Sequence, residues 1–529
     1  MIRGSHIGRM GTQNDVGESN NSWRHPVFTF ATNESNLKSN IIRHSDLSNI
    51  NISDDDWDLH CKSIERILSP ILKNIHKFAQ NRFKGLEIEH SFVRFGSARD
   101  GLKVIDALEY DCILAFGITN MQFSLVNATD RYGEEKLGFI KIRVDNADYM
   151  MRNLPWLNDY KIIELGTDYL YYLNTKNLQE RVFKSVVDKT RHVINDKLRE
   201  ENSDYYLCRT GKPPTFDIHI TLDRDKGITD LRDTVIRAVG ESRKAQNQGY
   251  QSHNPVLNID IVPALLLRTD RIPDPYTVKS YFSRSMDCPV YAVMKWVHRS
   301  SEVVRVADAE RLWRECTSSY EKVILDVCRR NDSQRYLMTA CRILKTYVQN
   351  QPGHVQLHCV ADSQCLKTIC FYCIIFLTIP SDRNSLQGVR EALGYFLYCL
   401  NLCIENQNLP HFFFGNPFLQ EMFPDSSFCR HQFKQNNLYS SINISTFEYA
   451  KRSFNLMLRD LNGLYTDFEN IDLDRIGSFK EHIGLTHEYR HKDTKKKRLR
   501  GLKSFSVIIV FSVFIIMLLA VLRQRYTIM

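Results

Sequence analysis

The sequence lacks three features that would place it in other classes of protein. The first fifty of its 529 residues are polar and rich in Asn and Ser, without an apolar stretch of signal-peptide length. The fourteen cysteines are scattered through apolar runs and do not have the spacing of a disulfide framework. No internal repeat is visible. We therefore expect a cytosol-facing protein with reduced thiols.

The body of the chain also lacks net charge. The whole sequence carries a net charge of +9. Residues 490–503 hold eight basic residues and one acid, a net charge of +7, and Arg523 and Arg525 add the other +2. Residues 1–489 therefore sum to zero. The overall basicity is thus no evidence that the folded part binds nucleic acid.

Residues 505–522 contain no charge and follow the basic run 495–498. Eighteen helical residues span about 27 Å, close to the thickness of the endoplasmic reticulum bilayer, so this membrane is the favoured location. This pattern predicts a single-pass C-terminal tail anchor. The basic residues on its N-terminal side place the body in the cytosol.

The order of strand and helix patterns along the chain predicts an α+β protein with the two lobes of a nucleotidyltransferase-like fold, a mixed β-sheet catalytic lobe and a helical lobe, followed by a transmembrane helix. The predicted divisions are a disordered segment 1–50, the catalytic lobe with an N-terminal helix 51–300, the helical lobe 301–465, a basic linker 466–504, the span 505–522 and a short tail 523–529. Strands are predicted over 91–95, 110–116, 139–144, 214–222 and 256–267, and helices from 54 to about 78 and over 180–200, 308–330, 334–350, 362–378, 385–405 and 445–463.

A short segment carries the chemistry. Gly96-Ser97 follows a predicted strand, where backbone N–H groups and a hydroxyl can approach a triphosphate closely. Glu109 and Asp111 then share one face of the next strand, because side chains alternate along a strand. Two carboxylates on one face favour a cation between them, and Mg²⁺ prefers oxygen ligands.

A third carboxylate is needed to hold two metal ions for in-line phosphoryl transfer. Asp260 is a lone acid in a strand of Val, Ile and Leu, and Asp217 is its rival on a neighbouring strand. The more continuously apolar surroundings favour Asp260. Taken singly, the Gly96-Ser97 motif and the pair Glu109 and Asp111 are each also compatible with a solvated edge or a turn.

The ordered set of motifs resembles the cyclic GMP-AMP synthase-like and Mab-twenty-one-like family of nucleotidyltransferase-fold proteins over about residues 55–465. The motifs are Gly96-Ser97, Glu109-Tyr110-Asp111, the strand at Asp260, Trp313 to Ser318 leading to Glu321, Leu344 to Tyr347, Ser363 to Thr368, and Leu409-Pro410-His411-Phe412-Phe413.

The resemblance implies an enzyme that joins ATP and GTP into a cyclic dinucleotide with two Mg²⁺ or Mn²⁺ ions. It implies that Glu109, Asp111 and Asp260 bind the metal ions, and that Asp260 also takes the proton of the attacking hydroxyl. The nucleotide-binding residues that it implies are Gly96 and Ser97 for the donor triphosphate, Arg314 and Ser318 for the acceptor base, Lys345 and Ser363 for phosphate, and Lys367.

Two departures from the family shape what is expected of partners. Gln364 stands where the vertebrate synthase has a base-stacking tyrosine, and the zinc-binding insertion is missing. Although His354, His358, Cys359 and Cys365 have ligand-like spacing, no zinc is expected. The resemblance then implies an innate immune sensor triggered by double-stranded RNA or another ligand.

Two other functions stay open. The chain could be a catalytically silent scaffold or binding protein of the same fold, or a polymerase-like transferase that modifies RNA. Basic residues of the body form either a duplex-binding stripe or a solvated face. They are Lys73, Lys77, Arg82, Lys84, Arg329 and Arg330.

Overall fold

The computed structural model describes most of the chain between residues 54 and 460. The described residues are 54–96, 102, 109–130, 132–201, 205–210, 216–222, 256–273, 285–296, 308–330, 332–350, 356–378, 386, 388–416, 419, 423, 437–440, 442–460 and 479. Several predicted features lie outside them: the segment 1–50, the span 505–522, the tail 523–529, Ser97, His354 and all of the linker 466–504 except Phe479.

Strands dominate the first part of the described chain, and helices dominate the second. The strands are β1 (Leu86–Ile88), β2 (Val93–Arg94), β3 (Glu109–Ile118), β4 (Phe123–Thr129), β5 (Glu135–Val144), β6 (Ile163–Leu165), β7 (Tyr171–Leu173), β8 (Tyr205–Thr210), β9 (Phe216–Leu222), β10 (Val256–Pro273), β11 (Ser285–Met294) and β12 (Trp313–Cys316). The helices are α1 (Asp54–Arg82), α2 (Ala147–Asn153), α3 (Trp156–Asp159), α4 (Thr175–Asn177), a π-helical stretch (Leu178–Phe183), α5 (Lys184–Glu200), α6 (Ser318–Arg330), α7 (Asp332–Asn350), a 3-10 turn (Gln356–Cys359), α8 (Ser363–Thr378), α9 (Val389–Glu405) and α10 (Ile444–Asp460).

The described strands form one mixed sheet, so the architecture is α+β. Its main path runs β1-β3-β10-β11-β12-β5-β7-β6, and β2, β4, β8 and β9 join it at the sides. Strand β10 is parallel to β3 and antiparallel to β9 and β11. The parallel pair joins two segments that are far apart in sequence, and it forms the centre of the candidate site.

One face of the sheet packs against helices α1 and α5. Cys112, Leu114 and Phe116 of β3 are buried in this interface. The alternate residues of the same strand, Asp111 and Ile113, belong to the opposite face. The sheet thus separates a helix-covered core from the face that carries the acids.

Helix α1 contributes one apolar stripe to this core. Its buried residues recur at helical spacing, and each buried Leu or Ile side chain stabilises the fold by about 1.5–3 kcal/mol. Pro70 lies inside the helix, which continues beyond it to Arg82. The residues of the stripe are Leu68, Ile71, Leu72, Ile75 and Ala79.

The helices from α6 onward enclose a second core, and a polar contact ties this lobe to the sheet. The Tyr320 hydroxyl of α6 donates to Asp270 of β10 at 2.5 Å. Within the sheet itself, Arg268 of β10 donates to Glu315 of β12 at 3.0 Å. Strand β12 falls in the range 301–465 of the predicted helical lobe, yet it pairs with β11 and β5 in the sheet.

The prediction of a membrane-spanning helix, and of the endoplasmic reticulum localisation that depended on it, is wrong by this structure. Within the described ranges, no helix is both long enough and apolar enough to cross a bilayer. The apolar helix α8 has 16 residues, about 24 Å, which is short of a hydrocarbon core of about 30 Å. Helix α1 has 29 residues but carries charges along its length. Residues 505–522, where the span was predicted, lie outside the description.

Candidate active site

Two predicted carboxylates lie side by side at the centre of the sheet. In the parallel pairing of β3 with β10, Asp111 is the direct register partner of Asp260. Neighbouring strands are about 4.8 Å apart, and register partners point to the same face. Both residues are only partly buried. The fold therefore presents two carboxylates together on a face that solvent reaches.

The two rivals for the third acid lie opposite each other. Asp217 of β9 is the register partner of Asp260, so positions 217, 260 and 111 form one row across three strands. Glu109 lies two residues before Asp111 and pairs with Asn258. Of Glu109 and Asp217 the structure describes the backbone alone. The sequence presents Asp217 and Asp260 as alternatives, whereas the register places both at the same level of the sheet.

The thiol of Cys112, behind the acids, responds to their charges. This side chain is fully buried, and its pKa is raised well above 9.0, first by burial and then by the negative charges of Asp111 and Asp260. Both carboxylates therefore act on the same small region. Such a site attracts cations, and its oxygen ligands suit Mg²⁺ or Mn²⁺.

Gly96 allows the backbone to approach Asp111. Its φ is +79°, and a Cβ at this position would lie 2.1 Å from Oδ2 of Asp111. The N–H of Phe95 donates to the carbonyl of Asp111 at 3.2 Å. Gly96 thus packs directly against a candidate metal ligand, and a side chain there would strain the backbone and have to displace the Asp111 carboxylate. Ser97, predicted to bind phosphate with it, lies beyond the described residues.

Arg314 lies farther along the same face. On β12 it pairs with Val293 of β11, which pairs with Ala264 of β10. From Asp260 this is two strands across and four residues along, a separation of about 16 Å between backbone positions. The guanidinium is partly buried and, among the described residues, has no hydrogen bond or ion pair.

Ser318 and Glu321 lie in the first turn of helix α6, which begins four residues after Arg314. The buried Ser318 hydroxyl is 3.0 Å from the Cys316 sulfur. Glu321 accepts from the Thr317 hydroxyl at 2.8 Å and forms an ion pair with Lys367. Burial would raise the pKa of Glu321, but the charge and hydrogen bond of Lys367 together with the Thr317 hydroxyl hold it below the usual value.

The three remaining residues predicted to bind nucleotide occupy different surroundings. Lys345 is buried, and its Nζ donates to the carbonyl of Leu102 at 3.1 Å, in the segment between Gly96 and the acids. Lys367 is paired with Glu321. Ser363 is exposed at the start of α8. In this structure the two lysines hold parts of the protein together, and the contacts of all three residues with nucleotide stay predictions.

The residues with zinc-like spacing are spread over different surroundings. The Cys359 sulfur is 3.6 Å from Nε2 of the adjacent His358, on a surface turn. Cys365 is buried in the core of the helical lobe, and burial raises its pKa well above 9.0.

His411 is a polar residue of this region to which the sequence assigns no role. It is 6% exposed, and its Nδ1 accepts from the backbone N–H groups of Phe413 and Phe414 at 3.1 and 3.3 Å. The motif Leu409 to Phe413 marks it in the sequence. Burial and then the positive charge of Arg314 lower its pKa to about 3 against the opposing charge of Glu321, and these surroundings emerge only from the fold.

No protein-family model matches the chain, and no curated protein matches it.

Proposed function

We propose that the protein is a nucleotidyltransferase that uses nucleoside triphosphates and divalent metal ions. One observation carries the proposal: Asp111 and Asp260 are register partners on one accessible face, with the bare backbone of Gly96 against Asp111. Carboxylates brought together in this way suit the metal-assisted transfer of a phosphoryl group.

Asp111 and Asp260 would hold the metal ions, and Glu109 is proposed as their third ligand. When bound, Mg²⁺ supplies charge neutralisation for the transferring phosphate. Asp260 would also accept the proton of the attacking hydroxyl. Because the carboxylates sit on strands and not on loops, the sheet holds them in place before a substrate binds.

Arg314 is proposed to contact the acceptor nucleotide together with Ser318. Its separation of about 16 Å from the acids is a distance that an extended nucleotide can bridge. The finer proposal is that two nucleotides are joined into a cyclic dinucleotide, with ATP and GTP as substrates. It is supported by the order of the motifs, which agrees with that of the nucleotidyltransferase family that the sequence resembles.

The test is incorporation of label from α-labelled ATP and GTP by the full-length protein with Mg²⁺ or Mn²⁺, with and without double-stranded RNA or double-stranded DNA. Asp260→Asn and Asp111→Asn should each lower product formation by about 10²–10³-fold. Asp287→Asn is the matched control, because Asp287 lies on β11 of the same sheet, exposed and ion-paired with Arg271. This variant should keep full activity.

If ATP and GTP stay unreacted under every condition, the proposed enzymatic activity is contradicted and a binding protein of the same fold is favoured. A linear product extended from RNA would instead favour the polymerase-like reaction. Equal activity of Asp260→Asn and Asp287→Asn would show that the chemistry occurs elsewhere.

A further inference from the structure

The helical lobe holds one point of the chain that leads from Gly96 to the acids. Leu102 lies six residues after Gly96 and seven before Glu109, where β3 begins. Its side chain is 2% exposed and belongs to the core that the helices from α6 onward enclose. The connection starts and ends at the sheet, yet this residue is packed in the helical lobe.

A buried lysine binds the backbone at the same point. Nζ of Lys345, on helix α7, donates to the carbonyl of Leu102 at 3.1 Å. Lys345 is 5% exposed, and an ammonium group is costly to bury unless hydrogen bonds replace those to water. A hydrogen bond from a charged group is also stronger than one between neutral groups. Packing therefore holds the side chain of Leu102, and a charged donor holds its carbonyl.

Helix α7, which carries Lys345, is itself bound to its neighbour in the lobe. The thiol of Cys341 donates to the carbonyl of Leu366 on α8 at 3.8 Å, and the thiol of Cys370 on α8 donates to the carbonyl of Leu337 on α7 at 3.9 Å. These four residues are buried. Lys345 thus extends from a closely packed pair of helices, a support that moves little.

A fixed Leu102 divides the connection between Gly96 and Glu109 into two short parts. Positions 97–101 and 103–108 are five and six residues long. Shorter connections between fixed points have fewer conformations available to them, so their ends are better defined. One end is Gly96, where a Cβ would lie 2.1 Å from Oδ2 of Asp111, and the other is the first residue of β3.

We infer that Lys345 is a positioning residue, which holds Leu102 and through it the two ends of the connection that meet at the metal site. Gly96 packs against Asp111, and Glu109 is the proposed third ligand. Loss of the bond from Lys345 would loosen both ends together. This inference rests on the proposed function, in which these acids bind the metal ions.

The test is titration calorimetry of the full-length protein with Mn²⁺ in the absence of nucleotide. Lys345→Met keeps a long unbranched side chain but removes the charged donor, and Leu102→Ala removes most of the packing. We expect each variant to bind Mn²⁺ about tenfold more weakly than wild type. Leu102→Met, which refills the core, should bind Mn²⁺ nearly as well as wild type.

A double variant and a matched control separate positioning from a general loss of stability. If both groups act through the same point, Lys345→Met with Leu102→Ala should weaken Mn²⁺ binding by less than the product of the two single effects. The control is Leu397→Ala, which removes a fully buried leucine of α9 from the same core. It should lower the urea midpoint and keep the Mn²⁺ affinity of wild type.

Two results would overturn the inference. In the first, Lys345→Met keeps the Mn²⁺ affinity of wild type and raises only the KM of a nucleotide, which is the behaviour of a direct phosphate ligand. In the second, Leu397→Ala weakens Mn²⁺ binding as much as Leu102→Ala does, so that any loss of core packing has the same effect.

The proposed function fails in a different way. If wild type shows no Mn²⁺ binding that Asp260→Asn removes, the proposed metal site is wrong and the inference fails with it. If wild type binds Mn²⁺ in a manner that depends on Asp260 and Lys345→Met binds it equally well, the inference alone fails.

Discussion

At the scale of single residues, the site depends on the contact between a glycine and a carboxylate. Gly96 adopts a left-handed backbone conformation, and its Cα hydrogen occupies the space beside Oδ2 of Asp111. The contact explains why Gly is favoured at this position: a side chain would strain the left-handed backbone and displace the Asp111 carboxylate. A change in the backbone of this turn should therefore move the Asp111 carboxylate.

Gly96→Ala should displace the Asp111 carboxylate. The left-handed backbone costs a non-glycine residue about 1–3 kcal/mol, and displacement of a ligand should weaken Mn²⁺ binding roughly tenfold or more. Titration calorimetry with Mn²⁺ and urea unfolding measure the two effects. Gly117→Ala on the same strand is the control, since its Cβ would meet only Oε2 of Glu87, at 3.9 Å. Equal Mn²⁺ affinity in both variants would contradict the role of Gly96.

At the scale of elements, the loop 408–416 joins the helical lobe to the sheet. Phe414 packs on Gly138 of β5, and within the loop Asn416 donates to the carbonyl of Phe412 at 2.7 Å. A buried histidine in such a loop makes the stability of the connection depend on pH.

Folding stability should fall as the pH drops from about 6 toward 3. The unfolded chain protonates His411 near pH 6.5, whereas the folded protein does so only near pH 3. In this window the unfolded state binds more protons, so the free energy of unfolding decreases by up to about 1.4 kcal/mol per pH unit. His411→Asn should lack this contribution. Urea unfolding of both proteins at pH 7 and pH 4.5 measures it, and a difference that does not vary with pH would contradict it.

Periodicity in the sequence predicts many of these elements. The helix predicted over 334–350 is found at Asp332–Asn350, and the strand predicted over 110–116 at Glu109–Ile118. The helix predicted over 308–330 begins only at Ser318, because Trp313–Cys316 pair as β12. Strand β11 is missed, since Pro289 in its interior argues against a strand.

Strand register limits what the sequence can predict about the site. Alternation along one strand places Glu109 and Asp111 on one face, and an apolar context selects Asp260. That Asp217, Asp260 and Asp111 share one row depends on pairing between distant segments, which no local pattern encodes. For the same reason, the contact of Lys345 with the segment after Gly96 is not predictable.

At the scale of the whole molecule, a mixed sheet carries the acids, and a helical lobe packs against the end of β10 that is remote from them. Tyr320 of the helical lobe donates to Asp270 of the sheet, and Lys345 of the helical lobe donates to the carbonyl of Leu102, in the segment between Gly96 and the acids. The arrangement suits an enzyme that binds one substrate at the acids and contacts another from the helical side.

The most direct test of this account is an anomalous diffraction measurement on crystals of the protein soaked with Mn²⁺ and a non-hydrolysable ATP analogue. We expect a Mn²⁺ peak about 2.1–2.3 Å from carboxylate oxygens of both Asp111 and Asp260, next to the analogue's phosphates. Strong Mn²⁺ peaks elsewhere with none between these two residues, or an analogue bound away from the row of acids, would contradict the account.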